Sequence, residues 1–353
     1  MKIAFIVPSL SQRGPIIVVR DIVDKIICKG EDEICVFYFD DIIELKFSCE
    51  VKRIEFTKKI NFDDFDIIHS HGIRPDLYVF INKILGNIKR AKTVSTLHQY
   101  NYIQLKFELK NKWKAYIASN LWNLFLSKHD LIICLSRDMK KYYESQIFIN
   151  SNKLRYVYNG RPNLKLNNFN SSYEIFNKIP KDYIVLGTSC LITKRKGLEQ
   201  VIKVLPDMPN LYFVIVGNGE EEKELKFLTH SLNVENRCVF LGFQKNPIEY
   251  YKYFDIFILP SRAEGFPLSL IEAASAKKAI IVSNLDVFKE IFTENEVSFF
   301  TLDNLEDLKN KIIYTYNNKI NFENNVYKAF LDKYTSDIMA NNYLRLYLQL
   351  LKN

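Results

Sequence analysis

Short runs of β-branched and aliphatic residues alternate along this chain with stretches whose apolar positions recur at helical spacing, and the alternation runs through the sequence twice. In the first pass, Lys2–Val7, Ile34–Phe39, Val51–Phe56, Ile67–His69, Thr93–Leu97, Leu131–Leu135 and Arg155–Tyr158 read as strands. Ile16–Cys28 reads as a helix through Ile16, Ile17, Val19, Ile22, Val23, Ile26 and Ile27. Strands that are apolar on both faces and separated by helices predict a parallel sheet covered on both sides. The pattern stops over Asn159–Lys181, where Asn-Gly, Arg-Pro, Asn163, Asn167, Asn168 and Ser171-Ser172 mark a linker. It resumes with strands at Tyr183–Thr188, Leu211–Val216, Cys238–Leu241, Asp255–Leu259 and Ala279–Val282, and with helices at about 197–205, 220–232 and 268–277. The expected fold is α/β, two Rossmann-like doubly wound domains facing a central cleft, with ligands at the carboxyl ends of the strands.

Composition agrees with two globular domains: 353 residues, 48% hydrophobic and 25% charged. No apolar run reaches the ~18 residues of a membrane helix. The stretch Met1–Pro8 is too short for a signal peptide and reads as a first strand. The six cysteines (28, 35, 49, 134, 190 and 238) form no CxxC and no zinc-ligand spacing, which fits a reducing, cytoplasmic compartment. Charge adds more. Residues 1–170 hold 27 Lys and Arg against 18 Asp and Glu, so this half carries +9 and the remainder −1 of the formal +8. Within it, Lys83, Lys89, Arg90, Lys92, Lys106, Lys110, Lys112, Lys114 and Lys128 face a single acid, Glu108, and are interleaved with Tyr100, Tyr102, Phe107, Trp113, Tyr116, Trp122 and Phe125. Such a stretch suits an anionic membrane surface. It also suits a solvated lysine face over a core aromatic stripe. Nucleic acid is not expected, since no nucleic-acid motif accompanies the charge.

Two segments carry chemistry. Pro260-Ser-Arg-Ala-Glu-Gly-Phe-Pro-Leu-Ser-Leu-Ile-Glu272 follows a strand and opens a helix, with Glu264 in the loop and Glu272 eight residues on, about two turns into the helix. Gly265 permits close backbone approach, Pro267 suits a helix start, and free amides at Phe266 and Leu268 suit a phosphate. A capped helix with two solvated acids is the plainer reading. Gly187-Thr-Ser-Cys-Leu-Ile-Thr-Lys-Arg-Lys-Gly197 likewise runs from strand to helix, with Lys194, Arg195 and Lys196 placed to clamp a diphosphate. By itself it is equally an exposed basic loop.

Together these segments resemble the retaining glycosyltransferases of family four, which have the GT-B fold and include the bacterial surface-polysaccharide enzymes. Glu264 through Glu272 matches the family's E-x7-E signature and Lys196-Gly197 its phosphate-binding Lys-Gly. Val216-Gly-Asn-Gly-Glu220, Leu241-Gly-Phe243, Asp255–Ser261 and Asn159-Gly160 match further motifs in order, and Asp66–Gly72 and Thr96-Leu-His98 are similar to its first-domain strand ends. The resemblance implies an acceptor-binding domain over 1–165, a nucleotide-sugar-binding domain over 166–335, and a final helix over 336–353 that crosses back to the first domain. It also implies residue roles. Glu272 would bind the donor ribose and Glu264 the donor sugar. Lys196, Arg195 and the amides of Gly265, Phe266, Pro267 and Leu268 would surround the diphosphate, although proline has no N–H to give. Gly217, Gly219 and Phe243 carry over as donor-binding positions, Gly14 as a phosphate approach, and His98 as a neighbour of the transferred sugar.

The implied activity moves a sugar from an NDP-sugar to a growing glycan, as in O-antigen assembly, with retention and by a front-face route, and it needs no cofactor and no divalent metal. The basic patch of the first half adds the expectation that the glycan is lipid-linked and that the protein works at the inner face of the cytoplasmic membrane. The alternative is a catalytically silent scaffold or nucleotide-sugar-binding protein. Cys190 supports that alternative, because it stands where the family usually has arginine; Arg195 or Lys194 is expected to supply the missing charge. Arg13-Gly14-Pro15 also replaces the family's double glycine. Asp64-Phe-Asp66 reads as punctuation before a strand rather than a metal site, and Gly217-Asn-Gly219 lacks the third glycine of a dinucleotide fingerprint. Tyr100 and Asn101 are acceptor-side candidates. Of His69 and His71, one is expected to be packed or to line the cleft. The aromatic helix ending Tyr343–Leu351 is expected to be core.

Overall fold

A computed structural model describes residues 1–30, 32–58, 60–164 and 173–352. The chain divides into two units, Met1–Pro162 with Ser336–Asn353, and Asn163–Thr335. The expected boundary at 165/166, and residues 165–172 of the expected linker, lie outside the described residues.

The first unit is built on seven parallel strands: β1 (Lys2–Val7), β2 (Glu33–Tyr38), β3 (Glu50–Arg53), β4 (Ile67–His71), β5 (Lys92–Thr96), β6 (Leu131–Cys134) and β7 (Leu154–Tyr156). Their order is 3-2-1-4-5-6-7, so the winding reverses between β1 and β4. Ile3 to Val7 are inaccessible to solvent, as a central parallel strand covered on both faces requires. At the edge, β3 stops at Arg53 instead of running to Phe56, and all four of its residues are exposed. Strand β4 runs two residues past the expected His69, so Ser70 and His71 pair with Ser95 and Thr96 of β5. At the amino end of β4, Asp66 Oδ2 accepts the Lys2 backbone N–H at 2.8 Å. The Asp64-Phe-Asp66 triplet thus lies at the end of the sheet away from the strands' carboxyl termini.

The final helix, Ser336–Lys352, belongs to this unit and packs on the helix Gly14–Ile27. Met339, Ala340, Tyr343 and Tyr347 form its buried stripe, and Lys25 pairs with Asp337 at 2.8 Å. The chain's two crossings between the units are tied together inside the first. Arg161 forms a buried ion pair with Asp21, and its carbonyl accepts the Ser336 N–H at 2.9 Å.

The second unit has six parallel strands: β8 (Ile184–Ser189), β9 (Leu211–Val216), β10 (Cys238–Phe240), β11 (Ile256–Leu259), β12 (Ala279–Ser283) and β13 (Ser298–Phe300), in the order 10-9-8-11-12-13. The reversal falls between β8 and β11. Strand β13 is three residues long and carries too little periodicity to be read in sequence. The helices Leu305–Asn317 and Lys319–Lys333 follow it.

Buried polar groups also knit the first unit together. Asp76 Oδ1 accepts Ser70 Oγ at 2.6 Å and Ser95 Oγ at 2.8 Å, and Oδ2 accepts Trp122 Nε1 at 2.7 Å. Burial pushes the Asp76 carboxyl up to about 6, and these three donors only partly offset it. A raised folded value means that the folded state holds the proton more tightly. Asp76 therefore favours folding below about pH 4, and that contribution is lost as pH rises through about 6, a change on the order of 3 kcal/mol. Urea denaturation of wild type and Asp76→Asn between pH 4 and 7 should show the wild type alone losing this increment. Parallel profiles would refute it.

Candidate active site

In open parallel sheets the loops on either side of the winding reversal emerge next to one another and form the ligand site. In the second unit those loops follow β8 and β11, which pair through Leu186 with Ile256 and Gly187 with Phe257. Gly187 is required here, because a Cβ would stand 2.2 Å from the Phe254 ring. The loop after β8 is seated by main-chain bonds from Cys190 N to Val216 O at 3.0 Å and from Ile192 N to Asn218 O at 2.8 Å. A Cβ at Gly217 would lie 2.0 Å from Cys190 O, and one at Gly219 2.1 Å from Ile192 O. The Gly-Asn-Gly turn therefore has a packing task that its motif does not announce. The turn Lys194–Lys196 ends at Gly197, which has φ +64° and sits where a Cβ would be 2.3 Å from Pro260 O. Gln200 Nε2 donates to Pro260 O at 2.9 Å, and Arg262 N donates to Arg195 O at 2.8 Å, closing the two loops onto each other.

That closure assembles a charge cluster. Lys196 Nζ lies 2.5 Å from Glu264 Oε1, and Arg195 Nη1 lies 3.2 Å from Oε2 and 2.6 Å from Ala263 O. Ser261 Oγ donates to Oε1 at 2.7 Å, while its own carbonyl accepts Ser283 Oγ at 2.6 Å. Glu264 is 7% exposed and Lys196 8%. Burial alone would raise the Glu264 carboxyl, but Lys196, Arg195 and the Ser261 hydroxyl outweigh it and hold the group below its ordinary value. Two cations on one ionised acid leave a surplus positive charge, the complement of a phosphate. Burial pushes the Cys190 thiol up to about 11, so that side chain is neutral. The second cation on Glu264 is Arg195, whereas Lys194 is exposed. Arg262 spans Glu199 at 2.6 Å and Asp303, tying the cluster to the adjoining helix and loop.

The helix after β11 is Leu268–Ser275, capped by Pro267 with no side-chain acceptor. Because it starts at Leu268, the buried Glu272 is one turn into it rather than the two suggested by the spacing from Glu264. Phe266 is buried, with its ring 6.1 Å from Tyr334, and Gly265 completes the turn between the acid and the helix. Phe243, beyond β10, is 60% exposed.

In the first unit, Gly14 is the first residue of its helix, whose early amides Ile16 N and Ile17 N both bond Arg13 O at 3.0 Å. His98 lies two residues past β5, and its Nε2 is 2.8 Å from His71 Nδ1. Tyr100 and Asn101 are buried: Tyr100 bonds Asp138, and Asn101 is held by Tyr143 and by Asn123 at 3.1 Å. Both thereby hold the start of the helix Asn101–Leu109 in place. Sequence alone gives Ser261 no role and leaves open which of His69 and His71 is packed. Ser261 lay within the quoted strand motif, but only the three-dimensional contact shows it donating to Glu264.

Models of two protein families match the chain. "Glycosyltransferase Family 4" matches residues 47–162, in the first unit, and "Glycosyl transferases group 1" matches residues 172–330, in the second. With its two doubly wound sheets, the chain belongs to the GT-B glycosyltransferases. It is 33% identical over 353 residues, covering 98% of both chains, to the O-antigen biosynthesis glycosyltransferase WclY of Escherichia coli. It is also 24% identical over 263 residues, 71% of this chain and 65% of the other, to a UDP-Gal:alpha-D-GlcNAc-diphosphoundecaprenol alpha-1,3-galactosyltransferase of Escherichia coli. Among solved structures, sucrose-phosphate synthase from Thermosynechococcus elongatus superposes with a TM-score of 0.80 over 99% of each chain at 17% identity, a likeness of fold.

The seating of Gly197 can be tested against Gly242, which also has a left-handed φ, +66°, but nothing within 4 Å of a Cβ. Gly242→Ala should cost only the left-handed backbone penalty of about 1–2 kcal/mol. Gly197→Ala should cost on the order of 2–3 kcal/mol more, because it drives the two loops apart. Equal losses of Tm in the two variants would contradict this account.

Proposed function

We propose that the protein transfers a sugar from an NDP-sugar, with a uridine diphosphate sugar the first to try, to a growing lipid-linked glycan of a bacterial surface polysaccharide. The observation that carries the reading is the Lys196–Arg195–Glu264 cluster on the two loops at the reversal of the second sheet. The cations would neutralise charge as it develops on the leaving diphosphate. The ionised Glu264 would accept hydrogen bonds from hydroxyls of the donor sugar, and Glu272 would take the ribose. The bond from the anomeric carbon to the diphosphate oxygen breaks while the acceptor oxygen adds on the same face. The acceptor's proton passes to the departing phosphate, so configuration is retained. Protein cations neutralise the diphosphate in this scheme, so neither a divalent metal nor a cofactor is called for. WclY and the diphosphoundecaprenol-linked galactosyltransferase support the glycan and carrier part of the reading by similarity.

The basic first unit supports action as a peripheral protein at the cytoplasmic face of a membrane. Among the described residues no helix is long and apolar enough to cross one. The helix Lys112–Leu126, however, is apolar on two sides. Ala115, Ser119 and Trp122 face the core, while Trp113 (78% exposed), Ile117 (66%) and Leu121 (50%) form a stripe at i, i+4 and i+8 that none of the unit's described residues covers. Phe107 and Leu109 of the preceding helix are exposed too, and Lys106, Lys110, Lys112 and Lys114 surround them. The aromatics of this stretch therefore divide between core and surface, instead of all lying beneath a lysine face. Each buried apolar side chain would add about 1.5–3 kcal/mol and each lysine about 1 kcal/mol to binding an anionic bilayer.

Thermal shift in EDTA with UDP, GDP, dTDP, ADP, CMP and their sugar conjugates tests the donor site. A ligand at 100 times its Kd adds about 2.7 kcal/mol, several degrees of Tm, and Lys196→Ala should abolish the rise. If no nucleotide shifts the wild type, the silent-scaffold reading is favoured instead. In flotation with anionic vesicles at low salt, binding should fall when Lys110, Lys112 and Lys114 become Glu, and again when Trp113 becomes Ser. Absence of wild-type binding would remove the membrane from the proposal.

A further inference from the structure

Five non-glycine residues among those described hold a left-handed backbone: Lys110, Phe148, Asn233, Lys277 and Asp303. Four of them are polar. Phe148, at φ +70°, is the exception. In this conformation the β-carbon crowds the neighbouring carbonyl, which costs the folded state a factor of roughly 5–30. Burial offsets little of that cost, because Phe148 is 52% exposed and Ile147 beside it 54%. Asparagine would fit both the turn and the water better. The turn is firmly seated. Gln146 N donates to Tyr143 O at 3.1 Å and Gln146 Nε2 to Tyr142 O at 3.1 Å, and on the far side Asn150 Oδ1 accepts Asn152 N at 3.0 Å. Strain kept at a fixed, exposed apolar tip points to a use outside the fold.

The tip lies at the edge of the first unit where β7 begins. Lys153 Nζ donates to Ser127 O at 3.0 Å and to His129 O at 2.9 Å, which ties the segment to the end of the helix Lys112–Leu126. Lys83 Nζ donates to Asp130 Oδ2 at 2.7 Å and brings the end of the helix Ile73–Ile84 to the same edge, where Ile84 and Leu85 are exposed as well. Right-handed crossovers put these two helices and the helix Arg137–Glu144 on one face of the sheet. Exposed cations accompany them: Lys89, Arg90, Lys128, Lys141 and Arg155. The acids of these segments are Asp130, paired with Lys83, and Glu144, paired with Lys140 at 3.0 Å.

We propose that Ile147 and Phe148 form a wedge that enters the interfacial layer of an anionic bilayer. A projecting tip is convex and cannot enclose a peptide or a small ligand. Its complement is a medium that yields to it, apolar beneath a negatively charged surface. The wedge rests on the membrane reading above and sharpens it. Together with the stripe of Trp113, Ile117 and Leu121 it gives a second contact on the same face, so the helical layer of the first unit lies toward the bilayer.

Flotation of the full-length protein with vesicles of phosphatidylglycerol and phosphatidylcholine tests the wedge. Phe148→Asn relieves the turn and removes the ring, so it should melt no lower than wild type yet bind the vesicles about tenfold more weakly. A lower Tm overturns the inference, because the ring would then serve the fold. Phe148→Trp should bind as wild type does, and the fluorescence it adds to that of Trp113 and Trp122 should shift to the blue and be quenched by brominated acyl chains. Added fluorescence that the vesicles leave unmoved overturns the inference too. If wild type and Phe148→Asn float equally, the wedge fails while the membrane reading stands; if wild type does not float, both fail.

Discussion

The side-by-side pairing of β8 and β11 is the constraint on which the second unit's chemistry depends. Their loops are contributed by residues almost seventy positions apart, yet Lys196 and Glu264 meet at 2.5 Å. A buried carboxylate with a lost cation, or the reverse, is strongly unfavourable, on the order of 3–5 kcal/mol. The ion pair therefore depends on the loops keeping their positions, and the loops depend on close backbone approach. Gly197, Gly217 and Gly219 stand where three such approaches occur, Gly187 packs against the Phe254 ring, and none of the four tolerates a Cβ without displacing a neighbour. The site's charge and the packing that holds it are one arrangement.

The first unit repeats the winding but fills the strand ends differently. Where the second unit gathers charge, the ends of β4 and β5 gather neutral polar groups: Ser70, His71, Ser95 and Thr96 are all buried. Buried polar atoms need partners, and here much of the supply comes from elements outside the sheet. Asp76 and Trp122 take the serines' side, and Tyr343 and Tyr347 of the final helix take the histidines' side. Trp122 also anchors the helix Lys112–Leu126 to the sheet. That rigid footing presents the Trp113, Ile117 and Leu121 stripe on the helix's opposite face.

Glu264 shows how the two kinds of environment set function. Burial by itself would make it a weak acid, as burial does for Asp76. The difference is the partners: Asp76 has only neutral donors and rises to about 6, whereas Glu264 has two cations and falls. A carboxyl that stays ionised when buried needs the second setting. Cys190 is neutral, and Arg195 is the second cation on Glu264, because the turn Lys194–Lys196 directs adjacent side chains to opposite oxygens of one carboxylate.

Much of the architecture is local and was legible in the chain. Apolar runs such as Lys2–Val7 and Leu211–Val216 have strand periodicity and no alternative, because a fully covered parallel strand must be apolar on both faces. The E-x7-E run and Lys196-Gly197 stand out through their family resemblance, since residue type and spacing alone leave the plainer readings open. What stayed hidden depends on partners far away in sequence. Strand β13 exists because β12 offers it an edge, and β4 reaches His71 because β5 pairs with it to Thr96. That Gly217 and Gly219 also make room for Cys190 O and Ile192 O could not be read from their motif. The bonds of Tyr100 and Asn101 to Asp138, Tyr143 and Asn123 are equally invisible in the sequence. Residue type and spacing determine which groups a segment can offer; which of them are already satisfied from within is decided only when the sheets bring distant segments together.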